Sequence, residues 1–228
     1  MNRLYSVQAL RAIAANLVIL THLFVVEGKH FAEPLLPRTA FYGMFGVDIF
    51  FVLSGFVMLE TAGGKSAARF LWNRALRIYP AYWVATSAVL LAFLYNPALV
   101  NSSYAEPTCI WKSYLLIPQK MMPLLGIGWT LIFEMYFYLV LAALIALRAP
   151  LMPGLALWAV AVLALAPFVH GPIGQTATSP FCFEFLMGAL ISWARPARCR
   201  FGAIALFLGV ALLLTGIWHE LHSGEYVV

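Results

Sequence analysis

Long apolar runs, broken by short polar and proline-bearing stretches, fill most of the chain between Leu10 and Trp218. Seven runs are candidates for membrane-spanning helices: Leu10–Val26, Gly43–Leu59, Pro80–Tyr95, Ile127–Leu147, Leu155–Val169, Phe181–Trp193 and Ile204–Trp218. A spanning helix needs about 20 mostly apolar residues to cross a hydrocarbon layer about 30 Å thick. The sixth run is short and reads as tilted, partial or re-entrant. The apolar residues run continuously instead of alternating with period two, which argues against a β-barrel. The pattern predicts an all-α fold, a polytopic integral membrane helical bundle of about seven transmembrane helices.

Composition agrees with the pattern. Of 228 residues, 63% are hydrophobic and 10% charged, and mean hydropathy is +0.88. A soluble domain carries about 25% charged residues, so much of this surface must face lipid. The whole chain, 1–228, reads as a single membrane-embedded domain without internal repeats. Its first run lacks a small-residue cleavage site before the charged stretch after Val26 and reads as a retained helix. The longest break, Asn96 to Gly126, holds four prolines and a short apolar stretch, Ile110 to Ile117, suited to the interface. Gly171 to Pro180 reads as a turn-rich loop. Cys109, Cys182 and Cys199 show no paired spacing, so neither a disulfide framework nor a metal site is expected.

The net charge of +5 matters less than its distribution. Assigning alternate loops to opposite sides collects Arg3, Arg11, Lys65, Arg69, Arg74, Arg77, Arg148, Arg195, Arg198 and Arg200 on one side. Lys29, Arg38, Lys112 and Lys120 fall on the other. The positive-inside rule makes the first side cytoplasmic, with the amino terminus inside. Basic residues set against membrane helices are a poor fit to nucleic acid, and no nucleic-acid partner is expected.

Ionisable residues inside apolar spans are expensive and usually face a cavity or a partner. Arg11 and His22 are eleven residues apart, about three full helical turns. They share one helix face, separated by roughly 16 Å along the axis. Snorkelling and interfacial placement explain such a pair as readily as function does. Asp48 sits inside the second span and needs a partner, which Arg11 or His22 could supply; a structural ion pair and catalysis remain open. Ser54 beside Gly55 reads first as close helix packing. Arg74 and Arg77 lie three apart before the third span, on a shared helix face. They suit a phosphate-rich anion, though topology or lipid headgroups explain them too. Glu134, among aromatic residues of the fourth span, suits acid–base work or a buried hydrogen bond. Glu184 in the sixth span is a weaker case of the same kind.

Four segments, in order, carry a resemblance: Ser6-Val7-Gln8-Ala9-Leu10-Arg11-Ala12 through His22; Gly46-Val47-Asp48-Ile49-Phe50-Phe51-Val52-Leu53-Ser54-Gly55-Phe56; Arg74-Ala75-Leu76-Arg77-Ile78-Tyr79-Pro80-Ala81-Tyr82-Trp83; and Gly128-Trp129-Thr130-Leu131 through Tyr138. Together they resemble the membrane-bound acyltransferase 3 family, most closely its exopolysaccharide O-acetyltransferase branch. The resemblance implies transfer of an acyl group, acetyl above all, from acyl-coenzyme A to a carbohydrate hydroxyl, free or lipid-linked, at the bacterial inner membrane. Acyl-CoA is then a donor substrate, with no permanently bound cofactor. The resemblance also implies site roles. The family's paired arginine and histidine fall on Arg11 and His22, its basic motif on Arg74 and Arg77, and its tryptophan-to-glutamate motif on Trp129 and Glu134; His22 and Glu134, with Asp48 from the reading of the residues, are then expected in the chemistry, and Arg11, Arg74 and Arg77 at the donor. Two departures stand out. Family members often carry a basic residue where this chain has Asn73, and they are usually longer chains with further helices and a closing motif.

Histidine is the default base near neutral pH. His22 is expected either to take the sugar's proton or to carry the acyl group covalently. Asp48 could orient the imidazole. A transporter or flippase without chemistry is the alternative from another class, and an inactive short family member is a third. The charge bias makes one direct prediction. A topology reporter fused after Lys65 should read cytoplasmic, and one fused after Glu106 external. The opposite pattern would overturn the orientation.

Overall fold

The computed structural model describes residues 5–31, 35–97, 100 and 108–194. The expected seventh span, Cys199 and the basic cluster Arg195, Arg198 and Arg200 lie outside them. Among the described residues the chain is helical throughout, without a strand. It divides into two compact units, one of residues 1–46 with 193–228, the other of residues 47–192.

In the first unit α1, Tyr5–His30, is one continuous helix of 26 residues. A 3-10 helix, Arg38–Met44, returns along it and leads into α2, Phe45–Ala62. Small residues set this approach. A methyl group built on Gly43 would strike the Leu17 carbonyl oxygen, and one on Gly46 would meet the Ala14 carbonyl oxygen at 2.5 Å. Polar bonds complete it. The Thr21 hydroxyl lies 3.1 Å from the Ala40 carbonyl oxygen and 3.2 Å from that of Phe41. The Glu27 carboxylate accepts the backbone N–H groups of Leu35, at 2.6 Å, and Leu36, at 3.0 Å.

The second unit holds the rest of α2, then α3 (Ala67–Tyr95), α4 (Ile110–Leu115), α5 (Gly128–Ala146), α6 (Leu151–Leu165), α7 (Gly171–Ala177) and α8 (Phe181–Ala194). Its core joins Phe51 and Met58 of α2, Phe70, Ile78 and Tyr82 of α3, Phe137, Tyr138 and Leu141 of α5, Leu155 of α6 and Phe185 of α8. Five stretches of the described chain are long and apolar enough to cross a membrane: Tyr5–Lys29, Arg38–Ala62, Ala67–Tyr95, Gly128–Ala146 and Gly171–Ala194. The shorter α6 matches the fifth expected run, shifted toward the amino terminus.

Two expectations need correction. The third helix does not begin at Pro80 but at Ala67, where Ser66 caps it by accepting the Arg69 N–H at 3.3 Å. Proline removes one backbone donor, yet Ile78 and Tyr82 on either side are buried in the core and hold the helix through it. At 29 residues, α3 is about 43 Å long by its rise per residue, longer than the hydrocarbon layer. The loop from Gly171 likewise opens with helix α7 before the turn at Thr178.

The tightest packing joins α2 to α8. A methyl group on Gly55 would collide with the Phe185 carbonyl oxygen, and one on Gly188 with that of Val52. Backbone therefore lies on backbone at both glycines, as helix association in lipid favours. Over-packing costs about 1–3 kcal/mol. Gly55→Ala and Gly188→Ala should each lower the thermal midpoint of the detergent-purified protein, whereas Gly63→Ala, with open space around it, should not. Equal tolerance of all three would refute the packing.

Candidate active site

The residues singled out by their chemistry fall into both units. In the first, Arg11 and His22 lie on the unbroken α1, so the shared face expected from their spacing is present. His22 is exposed, and its Nδ1 lies 2.7 Å from the Val18 carbonyl oxygen. A carbonyl can only accept, so Nδ1 carries the hydrogen. In the neutral ring Nε2 then bears the lone pair. The helix thus fixes the tautomer without a carboxylate.

In the second unit two polar groups flank the α2–α8 contact. Asp48, in the first turn of α2, is hydrogen-bonded to Glu184, in the first turn of α8. Two carboxyl groups can bond only through a proton carried by one of them. Sequence reasoning sought a cation for Asp48; the partner within its unit is a second acid. Phe51, Trp129, Phe133 and Phe181 form an aromatic cluster from α2, α5 and α8, Phe51 lying 4.9 Å from Phe181 and 6.4 Å from Trp129. One helix face later, the Ser192 hydroxyl donates to Glu60 at 3.0 Å.

Glu134 projects from α5 toward α2. Its Oε1 accepts the Ser54 hydroxyl at 3.1 Å and, one helical turn on, the Tyr138 hydroxyl in a very short bond. The Tyr138 ring in turn lies beside Arg74 of α3. The guanidinium of Arg74 is 6% exposed. Its Nη2 donates to Thr61 Oγ1 at 2.7 Å, its Cζ lies 5.6 Å from the Phe70 ring centre and 6.0 Å from that of Tyr138, and its buried Nε–H has no acceptor. Arg77, one turn later, is exposed. The two arginines expected to act as one clamp thus occupy different environments. Ser54, Thr61 and Tyr138 were not placed in a site by the sequence. Their spacing carried a signal, since Ser54 and Thr61 are seven apart on one face of α2 and Glu134 and Tyr138 four apart on one face of α5. Among the described residues no group of three His, Cys, Asp or Glu could hold a metal ion.

Arg11, His22, Asp48, Ser54, Arg74, Glu134 and Tyr138 all lie in the segments that carry the family resemblance. The acyltransferase-domain profile, acyltransferase 3, matches residues 4–227. The chain belongs to the acyltransferase 3 family. Among curated relatives of this acyltransferase-family chain, the "exopolysaccharide production protein ExoZ" of Rhizobium meliloti (strain 1021) is 31% identical over 188 residues, covering 76% of this chain and 55% of the relative. "Nodulation protein 10" of Rhizobium leguminosarum bv. viciae is 28% identical over 240 residues, covering 90% and 65%. "Acyltransferase MdmB" of Streptomyces mycarofaciens is 26% identical over 237 residues, covering 95% and 59%. This acyltransferase 3 chain therefore spans between about half and two thirds of the length of these relatives. No solved structure matches it.

The acid pair gives a direct test. Asp48→Asn or Glu184→Gln keeps a hydrogen-bonding partner and should leave the thermal midpoint near that of the parent. Asp48→Ala or Glu184→Ala leaves a partly buried carboxyl unpaired, a loss of about 1–3 kcal/mol, and should lower it clearly. Indifference to the alanine changes would remove the pair.

Proposed function

We propose that the protein transfers an acetyl group from acetyl-coenzyme A to a hydroxyl of a cell-surface or exported carbohydrate, in the bacterial inner membrane with its amino terminus in the cytoplasm. Family membership supports acyl transfer. A carbohydrate acceptor is supported by a relative named for exopolysaccharide production, and orientation by the distribution of basic residues. The observation that carries the mechanism is the Nδ1 bond of His22, which leaves Nε2 as the basic nitrogen in a fixed direction.

In the proposed reaction Nε2 removes the proton of the sugar hydroxyl. The oxygen attacks the thioester carbonyl, the carbon–sulfur bond breaks, and the coenzyme A thiolate leaves and takes up the proton from the imidazolium. Arg11 and Arg77 supply charge to the phosphates of the donor on the cytoplasmic side. Glu134 serves acid–base work in its own unit. Asp48, bonded to Glu184, is left out of the proton transfer.

Losing a general base costs about 10²–10⁴-fold in rate. His22→Ala and His22→Asn should both lose acetylation of surface polysaccharide to that extent, asparagine because it cannot take a proton. Coenzyme A binding and protein level should survive both. Full acetylation in either variant would end the proposal, and loss of folding in both would leave His22 a structural residue.

A further inference from the structure

The buried environment of Arg74 separates it from Arg77 and ties it to Glu134. A phosphate ligand must reach its phosphate. Arg74 is 94% buried by its 6% exposure; its guanidinium lies beside Phe70 and Tyr138 and is bonded to Thr61. Arg77, exposed on the same helix, meets no such obstacle. The described contacts lead from Arg74 inward: Arg74 lies over the Tyr138 ring, and the Tyr138 hydroxyl donates to Glu134 Oε1. A phenol can hold a cation against its ring and donate its hydroxyl to a carboxylate, so it can link a cation to an anion that do not touch. Ser54 donates to the same oxygen, and the Thr61 hydroxyl donates on to the Val57 carbonyl at 2.7 Å while it accepts from Arg74. Each link polarises the next in a low-dielectric interior. Three helices, α2, α3 and α5, thereby fix one carboxylate oxygen.

We infer that Arg74 is a positioning residue for Glu134, acting through Tyr138 with Ser54 and Thr61 as side supports, and that Arg77 is the arginine of this helix that takes the donor's phosphate. The inference rests on the proposed acyl transfer for its kinetic test but not for its structural one.

The structural test is a double-mutant cycle in the full chain purified in detergent. Arg74→Met and Glu134→Gln should each lower the thermal midpoint, and the pair together should lower it by clearly less than the sum. The same cycle in a Tyr138→Phe background should be additive. Additivity in the parent background would overturn the link whatever the protein does. The functional test measures coenzyme A binding and acetyl-coenzyme A kinetics. Arg77→Ala should weaken coenzyme A about tenfold or more, as loss of a charge-assisted contact does. Arg74→Lys and Tyr138→Phe should leave that affinity and KM for acetyl-coenzyme A unchanged. A displacement of about 1 Å at a reacting group can cost about 10²-fold, so kcat should fall toward that extent. Lysine at position 74, which keeps the charge, should lose less than Arg74→Met. If Arg74→Lys instead weakens coenzyme A as strongly as Arg77→Ala, Arg74 is a phosphate ligand and the assignment is wrong. If Tyr138→Phe turns over like the parent, the positioning role is wrong. A parent protein that neither binds coenzyme A nor turns over would fail the proposed function alone, and the cycle would still decide the network.

Discussion

Contact between backbones at Gly55 and Gly188 is the constraint on which the second unit depends. Apolar side chains on the outside of a lipid-facing helix gain nothing from leaving lipid for each other. Helices in that setting hold through close packing and polar bonds, and both are present here. With no side chain at either glycine, α2 and α8 approach until each meets the other's carbonyl oxygen. The helices run in the same direction, so one register sets every pair along the contact. Asp48 meets Glu184 near their amino-terminal ends, and Glu60 meets Ser192 toward the other end. A larger residue at either glycine would move both polar pairs at once.

The same register decides what the rest of α2 can do. Successive residues of a helix are turned by about 100°, so Ser54 points away from the direction of Gly55, toward α5, and Thr61 follows it seven residues on. These two hydroxyls receive the polar groups of the other helices: Glu134 from α5 and Arg74 from α3. A buried charge without a partner is strongly destabilising, on the order of 3–5 kcal/mol when one member of a buried pair is removed. Arg74 and Glu134 satisfy that demand through Tyr138, and the phenol is itself almost wholly buried. The glycine contact and the polar network are thus two consequences of one helix, with packing on one side and chemistry on another.

Most of this helical layout was legible from hydropathy, because the penalty for polar residues in lipid leaves a pattern that survives without any neighbour. What was not legible has a common cause. The apolar run opens at Pro80 and so does not mark the start of α3 at Ala67, while the burial of Ile78 and Tyr82 that carries the helix through Pro80 is a tertiary signal. Arg74 and Arg77 were read as one face. Three residues turn a helix by about 300°, a net difference of about 60°, and at the margin of a packed surface that is enough to bury one and expose the other. For Asp48 the sequence offered Arg11 or His22 as possible partners, while local spacing could not offer the second acid, 136 positions later (184 − 48), that lies beside it. Ser54 and Glu134 were each noticed, but a bond across 80 residues leaves no trace in local spacing.

The distinction between groups that hold the helices and groups that remain free to react follows from their bonds. Asp48 is bonded to Glu184, and Arg74 is buried beside two rings. A solute pathway built from such residues would have to break helix-to-helix bonds each time it opened, which makes a transport role for this network costly. An enzyme has no such requirement, since its framework can stay closed while chemistry proceeds at groups with an unused valence. His22 keeps an unused valence. Its Nδ1–H is spent on a backbone carbonyl of its own helix, which costs no neighbouring helix a bond and leaves Nε2 available. Arg77, exposed one turn beyond Arg74, is available in the same sense for an anion. Among the described residues, the division of the polar groups into a bonded framework and groups with an unused valence follows from helix register.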